Sequence, residues 1–121
     1  MDALHPRQKL WIERNGRLAL STYRVDLLER VAEHGSLAQA ADALGLSYRR
    51  AWGKIKELEA NLGIPLVRSE VGGAGGGHTT LTPEAAAFLD AYRAYEARMQ
   101  EHLDTEFEAL FASVVAARSP S

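Results

Sequence analysis

Residues 36–58 constrain the fold of this 121-residue chain more than any other stretch. Ser36 and Gln39 have the S-x-x-Q spacing of a capping box, which predicts the start of a short, alanine-rich helix. Gly45 ends that helix, and Ser47 can cap a following helix that runs to about residue 62. Two helices joined by a tight turn that contains glycine indicate a helix-turn-helix.

The residue types in this stretch fit such a motif. Ala40 and Ala41 are small enough to let the two helices approach closely where they cross. The apolar residues of the second helix recur at spacings of four, three and four, which predicts one buried face. That face is made of Ala51, Ile55, Leu58 and Leu62. The opposite face therefore points to solvent or to a ligand.

The outer face of this helix is basic. The segment "SYRRAWGKIK" at residues 47–56 has four cations and no acid, although the net charge of the chain is −2. The front of the second helix of this motif enters the major groove of DNA. We therefore expect Arg49 and Arg50 to bond to guanine edges, and Lys54 and Lys56 to hold phosphates. The alternative is a solvated basic face without a ligand.

Gly53 lies on the same face. A glycine inside an exposed helix costs up to about 1 kcal/mol relative to alanine. Close approach of this helix to a DNA backbone would account for it.

A hairpin and a helix are predicted before the motif. Asn15-Gly16 readily takes the two positive φ angles of a type I′ turn. Apolar residues alternate on both sides of this turn: Leu10 and Ile12, then Leu18 and Leu20. A helix is expected from about Thr22 to His34, with Ser21 or Thr22 as its cap and Gly35 at its end.

Five glycines occupy the six positions from Gly72 to Gly77, between two predicted short strands. A phosphate-binding loop would need a G-K-[ST] ending that opens a helix, but this run ends in a strand. A domain linker fits poorly because structured segments continue on both sides. We expect the tip of a wing that lies against DNA, with a merely disordered tip as the alternative. Shortening the run should weaken operator binding and leave the thermal melt nearly unchanged.

A long helix is predicted from residue 83 to about residue 115. Thr82 supplies a capping hydroxyl, Pro83 suits the first helical position, and Glu84 lies near the positive end of the dipole. A sustained apolar stripe follows, too long for one small core to cover, and it predicts a homodimer. The stripe consists of Phe88, Tyr92, Tyr95, Met99, Leu103, Phe107, Leu110 and Val114.

Other chemistry is not indicated by the sequence. Trp11 and Trp52 are expected to be core aromatics, and the four histidines show no metal-ligand spacing. No nucleophile–base arrangement stands out, so we expect neither catalysis nor a cofactor. The absence of cysteine, of a secretory leader and of a membrane-length apolar segment favours the cytoplasm.

The segment "GSLAQAADALGLSYRRAWGKIKELEANLGIPLVRS" resembles the winged helix-turn-helix of LysR-type regulators. The chain is more similar still to the N-terminal domain of the molybdate-responsive ModE family, in "SYRRAW", in "GGAGGGHTTLT" and in the preceding hairpin. The resemblance covers most of residues 10–115. It implies a dimer, formed through the long helix, that binds palindromic operator DNA. No segment matches the molybdate-binding module, so the resemblance implies DNA binding, gives no basis for claiming molybdate sensing and leaves any small-molecule effector unknown.

The predicted fold is mainly α with small β: a winged helix-turn-helix with an N-terminal hairpin and a long C-terminal dimerisation helix. The expected domains are residues 1–82, the helix at 83–117 and a flexible tail at 118–121. The predicted DNA-binding residues are Ser36, Ser47, Tyr48, Arg49, Arg50, Lys54, Lys56, Arg68, His78, Thr79 and Thr80. The expected function is sequence-specific binding of double-stranded DNA to regulate transcription. A winged-helix module that binds only proteins is the alternative.

Overall fold

The computed structural model describes residues 4–70 and 78–118. Its elements are β1 (Trp11–Arg14), β2 (Arg17–Ser21), α1 (Thr22–His34), α2 (Leu37–Ala43), α3 (Tyr48–Leu62), β3 (Val67–Glu70), β4 (His78–Leu81) and α4 (Pro83–Arg118). Within these ranges β1 pairs with β2 and β3 pairs with β4, both antiparallel. Residue contacts group into two units: residues 10–92, and the described parts of residues 1–9 and 93–121. The first unit has the element order of a winged helix-turn-helix, as predicted.

The N-terminal hairpin has the predicted turn and an unexpected register. Asn15 and Gly16 have φ angles of 54° and 78°, which confirms the type I′ signal. The register slips after Ile12, so that Ala19 has no opposite partner in β1. The bulge places neighbouring residues Ala19 and Leu20 in the core, while Ile12 stays exposed. The predicted hairpin is therefore present, with a bulge that the alternation of apolar residues did not indicate.

The helix starts follow the predicted caps. The Ser21, Ser36 and Ser47 hydroxyls each accept a hydrogen bond from the backbone N–H three residues later, all at 3.2 Å. The Thr82 hydroxyl likewise accepts from the Ala85 N–H at 3.1 Å. Each such cap satisfies one of the helix's orphan donors and contributes about 1 kcal/mol. The helix boundaries are therefore encoded locally.

The core of the 10–92 unit draws on all four helices. Ala40 and Ala41 are fully buried, which confirms the close helix crossing. Trp52 packs half-buried against this core, as predicted. Trp11 does not pack in the core, contrary to the prediction. It is 57% exposed, because all four residues of β1 face solvent. The indole of Trp11 donates instead to the Glu13 carboxylate at 3.0 Å.

The first turns of α4 belong to the 10–92 unit. Ala85, Leu89 and Tyr92 are buried in its core. The Tyr92 hydroxyl donates to the Leu10 carbonyl at 2.6 Å and lies 3.0 Å from the Thr22 hydroxyl. This compact unit therefore includes the first ten residues of α4.

The remainder of α4 belongs to the second unit and reaches Arg118, close to the predicted end at residues 115–117. Within that unit the Gln100 side-chain amide donates to the Pro6 carbonyl at 3.1 Å and to the Asp104 carboxylate at 2.9 Å. The rings of Phe107 and Phe111 stack with centroids 4.8 Å apart. None of the described helices combines the length and the hydropathy of a membrane-spanning segment.

Candidate nucleic-acid interface

The first turn of α3 presents three large polar side chains to solvent. Tyr48 is 57% exposed, and Arg49 and Arg50 are also exposed. Within the described parts of the chain, neither arginine takes part in a salt bridge. The first turn of α3 contains no acid that would occupy the positive end of its dipole. This end of the helix is therefore ready to receive an anionic or hydrogen-bonding ligand.

Lys54 lies half-buried on the side of α3 that faces α1. Burial lowers its pKa most, and the positive charges of Arg24 and Arg50 lower it further, while Glu57 raises it. The Lys54 ammonium also lies 5.5 Å from the centre of the Tyr23 ring. Three cations thus converge here, and an approaching phosphate would relieve their mutual repulsion.

Tyr23 and Arg24 were not predicted from the sequence as part of this site, although both lie beside Lys54. The Arg24 Nη2 atom lies 3.4 Å from Glu57 Oε1, whereas its Nη1 atom is buried and has no hydrogen-bond partner among the described residues. Neither residue belongs to the helix-turn-helix stretch, and only the α1–α3 packing brings them beside Lys54. The available signal was an α1 first turn that contains an arginine and no acid.

Lys56 is engaged with its own protein. Its ammonium lies 3.0 Å from the Glu59 carboxylate and 4.4 Å from the centre of the Trp52 ring. A DNA phosphate would have to compete with Glu59 for this cation. Lys56 is therefore placed less favourably for phosphate contact than Lys54.

Ser36 and Ser47, both predicted contacts, use their oxygens as helix caps. A hydroxyl that accepts a hydrogen bond keeps its O–H proton, which can still be donated to a phosphate. Ser47 is exposed and Ser36 is half-buried. Both serines thus combine a capping role with a hydroxyl proton that can be donated.

The wing hairpin separates its predicted contacts between two faces. Arg68 pairs with Thr80 and Glu70 pairs with His78, and all four residues are exposed. Thr79 lies between them, is only 6% exposed, and donates its backbone N–H to the Gly35 carbonyl at 3.0 Å. Its inclusion among the DNA-binding residues was wrong, because neighbouring residues of a strand point to opposite faces. The glycine run at 72–77 lies outside the described residues.

Glu59 connects the recognition helix to the wing. Its carboxylate accepts hydrogen bonds from the backbone N–H groups of Leu66 at 2.7 Å and Val67 at 3.3 Å. Burial alone raises the pKa of Glu59, but these two bonds and the Lys56 ammonium outweigh burial and lower it overall. The wing is thereby fixed to α3 where β3 begins.

Only part of the apolar stripe predicted on α4 is exposed, and only that part is available for contact with a second chain. Tyr92 is 1% exposed and its hydroxyl is bonded inside the core, so it was wrongly assigned to a dimer interface. Phe88 is exposed in the 10–92 unit. In the second unit, Tyr95, Leu110 and Val114 are exposed, whereas Met99, Leu103 and Phe107 are half-buried. Phe111, which the stripe omitted, is exposed as well.

Comparison with known proteins identifies the family. Residues 23–86 match the family of bacterial regulatory helix-turn-helix proteins of the lysR type. The molybdenum transport protein ModE of Azotobacter vinelandii is 39% identical over 76% of this chain and 34% of its own length. The transcriptional regulator ModE of Haemophilus influenzae is 36% identical over 77% of this chain and 36% of its own length.

The chain thus spans about a third of the length of these curated relatives. Among solved structures, full-length CbnR in complex with its target DNA is 30% identical, with a TM-score of 0.53 over 72% of this chain and 29% of that one. The matched residues include nearly all of α1, the whole of α2 and α3, the wing strands and the start of α4. The chain belongs to the LysR family of bacterial regulatory helix-turn-helix proteins.

Proposed function

We propose that this chain binds double-stranded DNA in the bacterial cytoplasm and regulates transcription, acting by binding and not by catalysis. The observation that carries the proposal is the front of α3, where Arg49 and Arg50 are exposed and free of ion pairs within the described chain. The Haemophilus influenzae relative is a transcriptional regulator, and CbnR was solved with its target DNA.

Base recognition is assigned to the first turn of α3. Arg49 and Arg50 have the length and the paired donors to bond to guanine O6 and N7 in the major groove. Tyr48 and Ser47 supply hydroxyls at the same end of the helix. Because the helix-turn-helix directs this end into the groove, sequence information is read here.

Backbone contacts are assigned to the flanks. Lys54, together with Arg24, forms a cationic edge toward α1, and Arg68, His78 and Thr80 lie on the exposed face of the wing. Contacts of this kind fix the register and orientation of the protein and make binding dependent on salt. Lys56 contributes less, since its ammonium is already paired with Glu59, and Ser36 contributes less, since it is half-buried.

Selection from a library of random duplexes would test the proposal. We expect enrichment of one sequence pattern, with binding that weakens steeply as salt rises. An interaction module that binds only proteins would enrich nothing and would not be retained on mixed-sequence duplex at low salt. Such a result would contradict DNA binding.

The regulator is proposed to act as a homodimer through the second unit. Leu110, Phe111 and Val114 are exposed apolar residues near the end of α4, and burying a side chain of this type stabilises by roughly 1.5–3 kcal/mol. A symmetric pair would present two recognition helices to half-sites about 34 Å apart on a palindromic operator.

Light scattering with two matched variants tests this assembly. Leu110→Glu places a charge in the apolar face and should give a monomer. Ala112→Glu adds the same charge on the opposite side of the helix and should leave a dimer, since residues two apart on a helix do not face the same way. A wild-type chain of monomeric mass at micromolar concentration would contradict the homodimer.

A further inference from the structure

Gly53 is a glycine that the free protein does not require. Gly16, Gly35, Gly45 and Gly63 have φ angles between 68° and 78°, a region that favours glycine. Gly53 lies inside α3 and does not have a positive φ angle. Backbone conformation therefore gives no reason for glycine at this position.

Packing gives no reason either. Apart from its chain neighbours and the backbone of its own helix, a Cβ atom built on Gly53 would meet no heavy atom of the described structure within 4 Å. Alanine has a higher helix propensity than glycine because it loses less backbone entropy on folding. The free protein would therefore be more stable with alanine at position 53.

The open space at Gly53 is surrounded by exposed side chains on the surface of α3. Positions three and four residues away on a helix are its surface neighbours, here Arg49, Arg50, Lys56 and Glu57. All four are exposed, and the bare backbone at Gly53 lies at the centre of their ring. We name this gap the Gly53 notch.

We propose that the Gly53 notch receives the edge of a base pair in the major groove, so that the backbone of α3 itself contacts the DNA. This inference rests on the proposed function. A side chain at position 53 would hold the helix away from the floor of the groove and keep Arg49 and Arg50 from full contact with their bases. Glycine lets a backbone approach a ligand closely, and here that approach sets how deeply the helix is seated.

A base edge fits the notch better than a phosphate. The notch lies on the outer face of α3, opposite the buried stripe that contains Ala51, Ile55 and Leu58. The cation suited to a phosphate, Lys54, lies on the flank toward α1. A helix seated in the groove directs its outer face to base edges and its flanks to the backbone.

Two substitutions of increasing size test the proposal, with a control on the same face. Gly53→Ala and Gly53→Leu would be compared with Ala60→Leu, an exposed position two helical turns farther on. The probes are a duplex selected by the wild-type protein and a mixed-sequence duplex of equal length. The free protein should melt roughly 4 °C higher with Gly53→Ala.

Affinity for the selected duplex should fall about tenfold with Gly53→Ala and further with Gly53→Leu, similar to the effect of a mismatched base pair. Binding to the mixed-sequence duplex and binding by Ala60→Leu should change less than about threefold, because neither depends on deep seating at position 53.

Three results would overturn the Gly53 notch while leaving DNA binding intact: wild-type affinity of both Gly53 variants, equal losses on the two duplexes, or an equal loss with Ala60→Leu. Failure of the wild-type chain to select any duplex would instead overturn the proposed function.

Discussion

The two ends of α3 differ in how the rest of the chain holds them. At the first end, Arg49 and Arg50 are exposed and form no salt bridge within the described residues. At the last end, the Asn61 side chain donates to a carbonyl of β2 at 2.7 Å. Arg14 of the hairpin donates to the Leu62 carbonyl at 2.6 Å. We call the end of α3 with Arg49 and Arg50 its free end, and the end with Asn61 and Leu62, which is hydrogen-bonded to the hairpin, its fastened end.

The comparison indicates a division of labour along a single helix. The fastened end uses its polar groups inside the protein and contributes to stability. At the free end, Arg49 and Arg50 have no ion-pair partner in the described parts of the chain, and the pKa of Lys54 is lowered by burial and by neighbouring positive charge. A charged group with a lowered pKa opposes folding, which fits a residue kept for a ligand.

The largest expected effect is at Glu59. Glu59→Ala would leave the buried N–H groups of Leu66 and Val67 without their acceptor. We expect a loss of about 3 kcal/mol in the free energy of unfolding, measured by urea denaturation. Glu57→Ala, an exposed carboxylate on the same helix, is the control and should change stability by less than about 1 kcal/mol. Similar losses at both positions would contradict the special role of the fastened end.

Glu59 also predicts a dependence on pH. Its pKa in the folded chain is lowered from 4.5, so the stabilisation is present above pH 4.5 and is lost as pH falls through the lower, folded value. The difference in unfolding free energy between the wild type and Glu59→Gln should therefore shrink in acid. A difference that stays constant from neutral pH to strong acid would show that the carboxylate charge is unimportant.

At the free end, Arg50→Ala should weaken binding to a selected duplex by about 1–3 kcal/mol and relax specificity at one base pair. Stability should hardly change, because the Arg50 side chain has no ion-pair partner in the described chain. Arg30→Ala removes the same charge from the surface of α1 and serves as the control. Equal losses on selected and random DNA, measured by gel shift, would reassign Arg50 to phosphate contact.

A smaller effect is expected at the hairpin. Arg14→Ala removes the bond to the Leu62 carbonyl at the C-terminal end of α3. Because Arg14 is exposed, we expect a loss of about 1 kcal/mol in thermal or urea unfolding, with no change in affinity for DNA. Arg17→Ala, its cross-strand partner, is the control and should leave stability unchanged.

Lys54→Met is expected to have the smallest effect on stability. The direction of this effect is informative, because the substitution should stabilise the protein. Removal of a charge with a lowered pKa should raise stability by up to about 0.5 kcal/mol. Binding should weaken similarly on all duplexes, with the salt slope reduced by about 1. The wild type should also gain stability as pH rises just below 10.5, where the unfolded chain binds more protons, and the variant should lack this gain.

Local signals explain why the helices could be predicted. The serine caps, the left-handed glycines at 35 and 63 and the Asn15-Gly16 turn all depend on a few adjacent residues. The buried stripe of α3 follows from the helical period alone. The basic front of α3 follows from the same period, since it is what remains opposite that stripe.

Long-range packing explains the errors. Thr79 was misplaced because the strand has two faces, and only its burial in the folded chain shows which face is inside. Tyr92 was misplaced because an aromatic on a long stripe can pair with another chain or with its own core. Arg24 was overlooked because nothing near it in sequence indicates that it lies beside Glu57.

The sequence by itself determined where helices begin and end, that α3 has an apolar face and a basic face, and that glycine at 53 needs a reason. Only the tertiary structure decided which cations are free, which residues of the wing and of α4 are buried, and that nothing within the described chain fills the space at Gly53. Caps and periodicity depend on neighbours within one turn, whereas burial and ion pairing depend on residues brought together from distant parts of the chain.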